Sequence, residues 1–339
     1  MTELLVHALA SPEQMGLTAL RIREPLAALA RLPGVECRIE EPARFVADPR
    51  PIAKILLLQR RILTLGELAT LVPLIKAGYA LVMEIDDHPG QRTGHAESGF
   101  LSIRAMHGVQ TTTEPLANVL CIHNPSIGVF PNQIAALPPW RERHGPPVIF
   151  FGALNREADW AAIMPALNRQ LVARPDVRVE VMHDRAFFEA LTISNKCFTA
   201  TSPYPTYLEA LGRADIALMP LADNPINRCK SDAKFIEAAA AGAAALASPT
   251  VYEASVRDGE AGLVFRNGEE FEAKLAALLD RPALRRQLAM AAYDYVGRER
   301  LLATHIGRQA TWYRSLYAQR AQLSAALAAR VPELWKGRP

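Results

Sequence analysis

Residues 214–264 read ADIALMPLADNPINRCKSDAKFIEAAAAGAAALASPTVYEASVRDGEAGLV, and this stretch decides the fold. The apolar residues 216–221 predict a short buried strand that ends in a turn. A basic loop follows, and residues 231–242 predict a helix that stops at Gly242 in a left-handed conformation. Residues 243–247 predict a second buried strand. The order strand, loop, helix, strand is typical of a parallel α/β sheet.

The loop and the start of this helix carry the residue types that bind an anion. Arg228 and Lys230 supply positive charge, and Ser231 or Asp232 suits the N-cap of the helix. The free N–H groups and the dipole of a helix start then lie beside two cations. Because ligands of open α/β sheets bind where such loops follow the strands, the loop predicts a phosphate or diphosphate site.

Lys230, Lys234 and Glu237 are spaced i, i+4 and i+7, so they are expected to share one helix face. Two ammonium groups and a carboxylate on one face suit a diphosphate and a ribose diol. A solvated helix face with salt bridges explains the same pattern. The residues alone leave both interpretations open.

Composition narrows the class of protein. The chain has 339 residues, of which 50% are hydrophobic and 22% are charged, so we expect a globular protein of two domains. A formal charge of +3 is too small to indicate nucleic-acid binding, but it suits an anionic small ligand or loose contact with anionic lipid. The sequence predicts no signal peptide and no membrane-spanning helix. Its four cysteines are too scattered for a disulfide framework, so we expect a cytoplasmic protein.

The central stretch resembles the carboxyl-terminal half of GT-B glycosyltransferases that use nucleotide-diphosphate sugars. The resemblance rests on a set of short motifs: Pro220-Leu221, KSDAKFIE at 230–237, Gly242, Ser248-Pro249 and DGEAGL at 258–263. It implies that Glu237 binds the donor ribose. Many of these enzymes carry a second glutamate seven residues earlier, where this chain has Lys230, and a phosphate role suits Lys230 better. The resemblance also implies an α/β fold of two doubly wound Rossmann-like domains facing an interdomain cleft.

Three segments are predicted from the sequence and the resemblance. They are an amino-terminal, acceptor-side domain over residues 1–140, a carboxyl-terminal nucleotide-sugar-binding domain over 147–312, and a helix and tail over 313–339. A linker is predicted between the domains, because residues 137–147 contain four prolines. One long helix is predicted from Arg300 to Ala328. The tail is basic, so its helix either contacts the inner face of an anionic membrane or is an ordinary solvated helix.

A second candidate site follows the predicted strand 80–85. Asp86, Asp87 and His88 come directly after this strand, where α/β sheets place functional groups. We expect at most one of the two aspartates to face a ligand, because neighbouring side chains of a strand point apart. These groups suit a general base or a partner for sugar hydroxyls, whereas a loop-capping Asx turn is the structural alternative. The resemblance favours function, since related enzymes often have a string similar to EIDD, which residues 84–87 match.

The predicted second domain opens with a buried strand at 148–151, followed by the loop Gly152 to Arg156. In the enzymes that the chain resembles, a glycine in this loop lets the backbone approach the donor, and a basic residue reaches the diphosphate. The resemblance therefore implies that Gly152, Asn155 and Arg156 bind the donor. Taken without the resemblance, Arg156 is equally well explained as a surface arginine.

These patterns predict a glycosyltransferase that moves a sugar from a nucleotide-diphosphate sugar to a glycan, lipid-linked or protein acceptor. The predicted donor-binding residues are Gly152, Asn155, Arg156, Arg228, Lys230, Ser231, Lys234 and Glu237, and the predicted catalytic residues are Asp86, Asp87 and His88. No acidic triplet suits a divalent metal near the phosphate site, so we expect no metal and no cofactor besides the sugar nucleotide. A nucleotide-sugar epimerase or hydrolase on the same fold and a non-catalytic sugar-nucleotide-binding module are the alternatives.

Overall fold

The computed structural model of the protein describes residues 2–10 and 15–335, with only the backbone described at residues 15 and 17. The chain divides into two compact units. Unit 1 contains Met1–Ala135, Cys229–Ser231 and Leu302–Pro339, and unit 2 contains Ala136–Arg228 and Asp232–Leu301. Residues 229–231 and 302–312, predicted with the second domain, therefore belong to unit 1. The last four residues of the predicted tail, 336–339, lie outside the described part of the chain.

Each unit is built on one parallel six-stranded sheet. The strands are β1 (Leu4–Leu9), β2 (Val35–Glu40), β3 (Ala53–Gln59), β4 (Tyr79–Glu84), β5 (Gly108–Thr111), β6 (Ile127–Val129), β7 (Val148–Gly152), β8 (Arg178–Met182), β9 (Lys196–Thr199), β10 (Ile216–Met219), β11 (Ala244–Ala247) and β12 (Leu263–Val264). Their order is β2-β1-β3-β4-β5-β6 in unit 1 and β9-β8-β7-β10-β11-β12 in unit 2.

The strand order reverses direction once in each sheet, between β1 and β3 in unit 1 and between β7 and β10 in unit 2. Both orders are those of doubly wound α/β folds, and ligands of such folds bind outside the carboxyl ends of the strands at the reversal. The predicted fold class, an α/β protein of two doubly wound Rossmann-like domains, is therefore confirmed.

Helices connect the strands within each unit. They are α1 (Met15–Thr18), α2 (Glu24–Leu29), α3 (Leu71–Lys76), α4 (Thr93–Glu97), α5 (Leu101–Arg104), α6 (Glu114–Leu120), α7 (Glu157–Trp160), α8 (Met164–Val172), α9 (Arg185–Ala190), α10 (Tyr204–Leu211), α11 (Pro225–Arg228), α12 (Ala233–Ala240), α13 (Glu253–Val256), α14 (Gly268–Asp280), α15 (Pro282–Glu299), α16 (Leu302–Ala318) and α17 (Arg320–Arg330). A π-helical turn, Ala19–Arg23, joins α1 to α2.

The sheet of unit 1 is covered on both faces. Along β3, Leu56 and Leu58 pack into one hydrophobic core, whereas Ile55 and Leu57 pack into the other. This alternation follows from the two-residue period of a strand, and it explains why the strands read as continuous apolar runs. The strand predicted at residues 80–85 is observed as the neighbouring strand β4.

The long helix predicted from Arg300 to Ala328 is wrong, because the structure divides it near Gln319 into α16 and α17. Residues of α16 such as Ile306 and Tyr313 pack into the core that contains Ile55 and Leu57. Leu327 of α17 packs into the core on the other face of the sheet. The same packing places residues 302–312 in unit 1. None of the described helices has the length and apolar content needed to cross a membrane.

The stretch 214–264 folds as predicted in outline. It supplies β10, α11, α12 and β11 in that order, and all residues of β10 and β11 are buried. Gly242 has a φ of 76°, so a left-handed glycine ends α12 as the sequence indicated. The two strands are adjacent in the sheet, and the loop after β10 lies at the reversal of strand order.

Candidate functional site

The loop after β7 in unit 2 is held close to α12. A Cβ atom on Gly152 would lie 2.6 Å from the Phe150 ring and 2.7 Å from the Tyr207 ring, so no other residue fits there without movement. Lys234 on α12 donates a hydrogen bond to the Gly152 carbonyl oxygen. Asn155 follows with a φ of 54°, in the left-handed region that asparagine tolerates. The structure therefore brings Lys234 to Gly152 at the carboxyl end of β7, and Asn155 lies in the loop that follows.

Arg156 connects this loop to the loop after β10. Its Nη1 atom lies 3.1 Å from Asp159 Oδ2 and donates to Asn227 Oδ1 at 3.3 Å. Asp159 also accepts a hydrogen bond from the Ala222 amide at 3.0 Å. The Arg156 amide donates to Asp184 Oδ2 at 3.1 Å. The sequence analysis missed Asp159, Asp184 and Asn227, since their role depends on contacts between segments far apart in the sequence.

Glu237 is a buried carboxylate on α12. It is 7% exposed, and Tyr204 Oη donates a hydrogen bond to its Oε1 atom at 2.7 Å. Burial raises the pKa of Glu237, while the Tyr204 hydrogen bond and the nearby Lys234 lower it. Glu237 is thus not part of a solvated salt-bridged face, which was the structural alternative for this residue.

Arg228 lies at the protein surface. Its guanidinium is 61% exposed and forms an ion pair with Asp223, with Arg228 Nη2 2.7 Å from Asp223 Oδ2. Exposed pairs of this kind contribute little to stability. Arg228 is therefore a solvated surface arginine in this structure.

Lys230 and Ser231 do not lie on α12. The prediction that Lys230 shares one helix face with Lys234 and Glu237 is therefore wrong. The helix begins at Ala233, and residues 229–231 belong to unit 1. Ser231 accepts a hydrogen bond from Asn132 Nδ2 at 2.8 Å. The N-cap residue is Asp232, but its side chain makes no capping bond, because its carboxylate pairs with Arg300 at 2.6 Å and accepts a hydrogen bond from Ser255.

The segment 229–231 is held in unit 1 by several contacts. Cys229 is 3% exposed within a hydrophobic core, and its carbonyl accepts a hydrogen bond from Thr113 Oγ1 at 2.9 Å. Lys230 Nζ lies 3.6 Å from Asp87 Oδ1. The structure therefore places Lys230, predicted as a phosphate ligand, beside a predicted catalytic residue.

Asp86 and Asp87 share one arginine in unit 1. Arg60 directly follows β3, which is the neighbour of β4, and its Nε atom donates to Asp86 while its Nη2 atom donates to Asp87 Oδ2 at 2.7 Å. Because β4 ends at Glu84, strand alternation does not apply to Asp86 and Asp87. The argument from strand alternation therefore does not hold, and the expectation that at most one of the two faces a ligand stays a prediction.

Arg60 itself was missed by the sequence analysis. Its side chain is 8% exposed, and its backbone has a φ of 48°. A non-glycine residue in the left-handed region costs about 1 kcal/mol or more, and such residues cluster at functional sites. The signal in the sequence was weak, since Arg60 and Arg61 both follow an apolar strand.

A buried ion pair lies behind this cluster. Arg21 Nε donates to Glu84 Oε1 at 2.8 Å, and Arg21 Nη1 donates to Asn132 Oδ1 at 2.9 Å. Burial raises the pKa of Glu84, while the positive charge of Arg21 lowers it. Since Asn132 also binds Ser231, hydrogen bonds link the end of β4 to the segment 229–231.

His88 begins the 3₁₀ turn Pro89–Gln91. Its Nδ1 atom accepts a hydrogen bond from the Gly90 amide at 3.0 Å. Burial lowers the pKa of His88, so the neutral imidazole dominates at pH 7. Within residues 2–10 and 15–335, no group of three or more His, Cys, Asp or Glu side chains is placed to hold a metal ion.

Comparisons with known proteins agree with this architecture. Residues 156–312 match a protein family described as Glycosyl transferase-like. No curated protein sequence matches the chain significantly. Among solved structures, HepE of Anabaena in complex with UDP-glucose is 12% identical, with a TM-score of 0.63 over 95% of this chain and 99% of that chain.

Two further structures are similar. The sucrose-phosphate synthase of Thermosynechococcus elongatus is 12% identical, with a TM-score of 0.62 over 94% of this chain and 100% of that chain. A mutant of TarM from S. aureus, in complex with fondaparinux, alpha-GlcNAc-glycerol and UDP, is 9% identical, with a TM-score of 0.58 over 76% of this chain. The chain spans 55% of that TarM chain. The chain therefore has the GT-B fold, as the sequence predicted, and its residues 156–312 match the glycosyl transferase-like family.

Proposed function

We propose that this protein is a glycosyltransferase that moves a sugar from a nucleotide-diphosphate sugar to an acceptor. The observation that carries the proposal is the buried carboxylate of Glu237, which accepts a hydrogen bond from Tyr204. Glu237 lies one turn after Lys234 on α12. This helix starts beside the reversal of strand order between β7 and β10, where doubly wound sheets bind nucleotides. The family match of residues 156–312 and the UDP or UDP-glucose bound to the similar structures support the same function.

In the proposed complex, Glu237 accepts hydrogen bonds from the ribose hydroxyl groups. A carboxylate that already has one tyrosine donor keeps acceptor capacity on its oxygens. Gly152 and Asn155 let the backbone after β7 approach the diphosphate, and Lys234 supplies a cation at that loop. Arg156, Arg228, Lys230 and Ser231 stay predicted donor ligands.

Replacing Glu237 by glutamine tests the proposal. We expect wild-type protein to bind one of UDP, GDP, dTDP and CDP preferentially. The Glu237→Gln variant should bind that nucleotide more weakly by about tenfold or more, since a hydrogen bond to a charged group is worth about 1.5–3 kcal/mol. Isothermal titration calorimetry measures both affinities. Glu209→Gln is the matched control, because Glu209 is an exposed residue of α10. Equal affinities of wild type and Glu237→Gln, or no nucleotide binding at all, would contradict the proposal.

The diphosphate role of Lys230 has a separate test. If Lys230 neutralises the diphosphate, Lys230→Ala should weaken the preferred nucleoside diphosphate by about tenfold and leave the free nucleoside unaffected. If Lys230 serves only as the partner of Asp87, both affinities should match those of wild type. Titrations of the two ligands against one variant separate these outcomes.

We further propose that cationic side chains and the start of α12, rather than a divalent metal, neutralise the leaving diphosphate. Transfer activity should then persist in excess EDTA. A loss of activity in EDTA that magnesium or manganese restores would contradict this part of the proposal.

The acceptor side is assigned to Asp86, Asp87 and His88 in unit 1. His88 in its neutral form, or Asp87 with its 33% exposed side chain, suits contact with an acceptor hydroxyl. Asp86 is buried and accepts a hydrogen bond from Arg60, so we propose that it positions Arg60 rather than contacting the acceptor. The acceptor is proposed to be a glycan, a lipid-linked molecule or a protein, and the protein is proposed to act in the cytoplasm.

One observation favours a non-catalytic sugar-nucleotide-binding module instead. Both aspartates already accept hydrogen bonds from Arg60, so an acceptor hydroxyl would have to compete with the guanidinium for their oxygens. Such a module would bind the nucleotide but release no sugar from any donor. Donor turnover without an acceptor, at the rate of the full reaction, would instead identify a hydrolase or epimerase.

The basic tail gives little support for a membrane contact. Arg330 donates to the carbonyl oxygens of Arg104 and Met106, both at 2.7 Å, and Arg320 donates to that of Ile75. These two cations are therefore bound within unit 1. Peripheral contact with an anionic membrane stays a proposal, and retention of the protein on anionic vesicles in a sedimentation assay would test it.

A further inference from the structure

A small cavity lies beside Asp87 in unit 1. Its lining residues are Arg60, Ile85, Asp87, His88, Arg92 and His95. The cavity has a volume of about 10 Å³, which is enough for one oxygen atom with its hydrogens. Five of its six lining residues carry a polar or charged side chain.

One polar atom of the lining lacks a partner. His95 is 2% exposed, and its Nδ1 atom makes no hydrogen bond to any described residue. Buried polar groups in proteins almost always have a hydrogen-bond partner, since leaving one unmade costs about 1–3 kcal/mol. His95 is one of the residues that line the cavity.

The charges around the cavity favour an anion. Arg92 is exposed at its edge, and within the described residues its guanidinium forms neither a hydrogen bond nor an ion pair. Arg60 and Lys230 already balance Asp86 and Asp87, so Arg92 adds a positive charge that has no carboxylate of its own. In its neutral form His88 accepts at Nδ1, and its Nε2 atom therefore carries a proton that can be donated.

We propose that this cavity binds an anionic group of the acceptor, with one phosphate or carboxylate oxygen inside it and Arg92 binding the rest of the group at the edge. The anion site follows from the lining alone, whereas its assignment to the acceptor rests on the proposed function. An excess of cations disfavours a metal ion here, and arginine matches the planar or tetrahedral oxygens of carboxylate and phosphate. The acceptor would then be a negatively charged glycan, lipid or peptide rather than a neutral one.

The experiment titrates inorganic phosphate, methyl phosphate and glucuronate into the ¹⁵N-histidine-labelled protein at constant ionic strength, and follows the ring resonances of His88 and His95. We expect saturable shifts with methyl phosphate or glucuronate in the wild type. Arg92→Gln should weaken this binding at least tenfold. Arg92 is an exposed residue, so this variant should fold even if His95→Phe, which removes the buried nitrogen, does not.

Arg44→Gln serves as the matched control, because it removes one exposed arginine of the same unit and should change the affinity less than twofold. Equal binding by wild type and Arg92→Gln, or shifts that sodium chloride reproduces, would overturn the anion site. Binding of inorganic phosphate alone would overturn the acceptor assignment. Nucleotide affinity of Arg92→Gln, measured in parallel, should equal that of wild type, so failure of the donor site would be recognised separately.

Discussion

Arg60→Met should destabilise unit 1 by about 3–5 kcal/mol, because it removes one partner of a buried ion pair and leaves the other partners unpaired. Asp86 is 9% exposed and would lose its arginine, while Asp87 would retain Lys230 at 3.6 Å. For a unit of this size we expect thermal unfolding to begin about 10 °C or more below that of wild type. Circular dichroism and hydrogen exchange of the β3 and β4 amides measure the change.

Arg61→Met provides the control for this prediction. Arg61 is the next residue, and its ion pair with Glu67 is 36% exposed on both sides, so the same substitution should cost at most about 1 kcal/mol. Adding Asp86→Asn and Asp87→Asn to Arg60→Met should restore part of the stability, since the unpaired charges are then gone. If Arg60→Met and Arg61→Met unfold alike, the three-residue cluster does not stabilise the site.

Local patterns predicted the fold well because the strands are buried on both sides. A run such as residues 216–219 is apolar throughout, and a helix bounded by polar residues and Gly242 follows it, so the repeating unit could be recognised without tertiary contacts. The break near Gln319 could not be predicted in this way. It exists because Leu327 of α17 packs on the face of the sheet opposite to the one that α16 covers, and both segments are good helix formers.

The candidate site was predicted only in part, since long-range ion pairs decide where its charges lie. Helical spacing placed Lys230 with Lys234, but Asp87 lies 143 positions away in the sequence and contacts Lys230 in the structure. Asp232 suited an N-cap, yet Arg300 occupies its carboxylate. The local sequence around Lys230 and Asp232 does not indicate that Asp87 and Arg300 are their partners. Burial of Glu237 is indicated locally, because apolar residues surround it on α12.

These pairs also suggest why a lysine stands at position 230. A glutamate there would place a third carboxylate beside Asp86 and Asp87, against the single cation of Arg60. Like charges at such a distance are destabilising. Lys230, which replaces the glutamate found in many of the enzymes that the chain resembles, therefore suits the charges around it in unit 1.

Acidification from pH 7 should destabilise unit 1 through His107 by about 3 kcal/mol. His107 is 1% exposed, its Nδ1 atom accepts a hydrogen bond from the Leu81 amide at 2.9 Å, and its Nε2 atom lies 3.0 Å from Ser324 Oγ on α17. Burial, with the charges of Arg320 and Arg330, lowers the pKa of His107 from 6.5 to about 4. The unfolded state therefore binds the proton first, and stability present above pH 6.5 is lost as the pH falls to 4.

His107→Asn should flatten this pH dependence, because an amide oxygen can accept the Leu81 hydrogen bond without titrating. Urea unfolding between pH 7.5 and 4.5, with hydrogen exchange of the α17 amides, compares this variant with wild type and with His144→Asn, a change at an exposed histidine of unit 2. Since Ser324 lies on α17, protection of that helix should fall first in the wild type. An identical pH slope for wild type and His107→Asn would show that other buried histidines, such as His7 and His95, carry the effect.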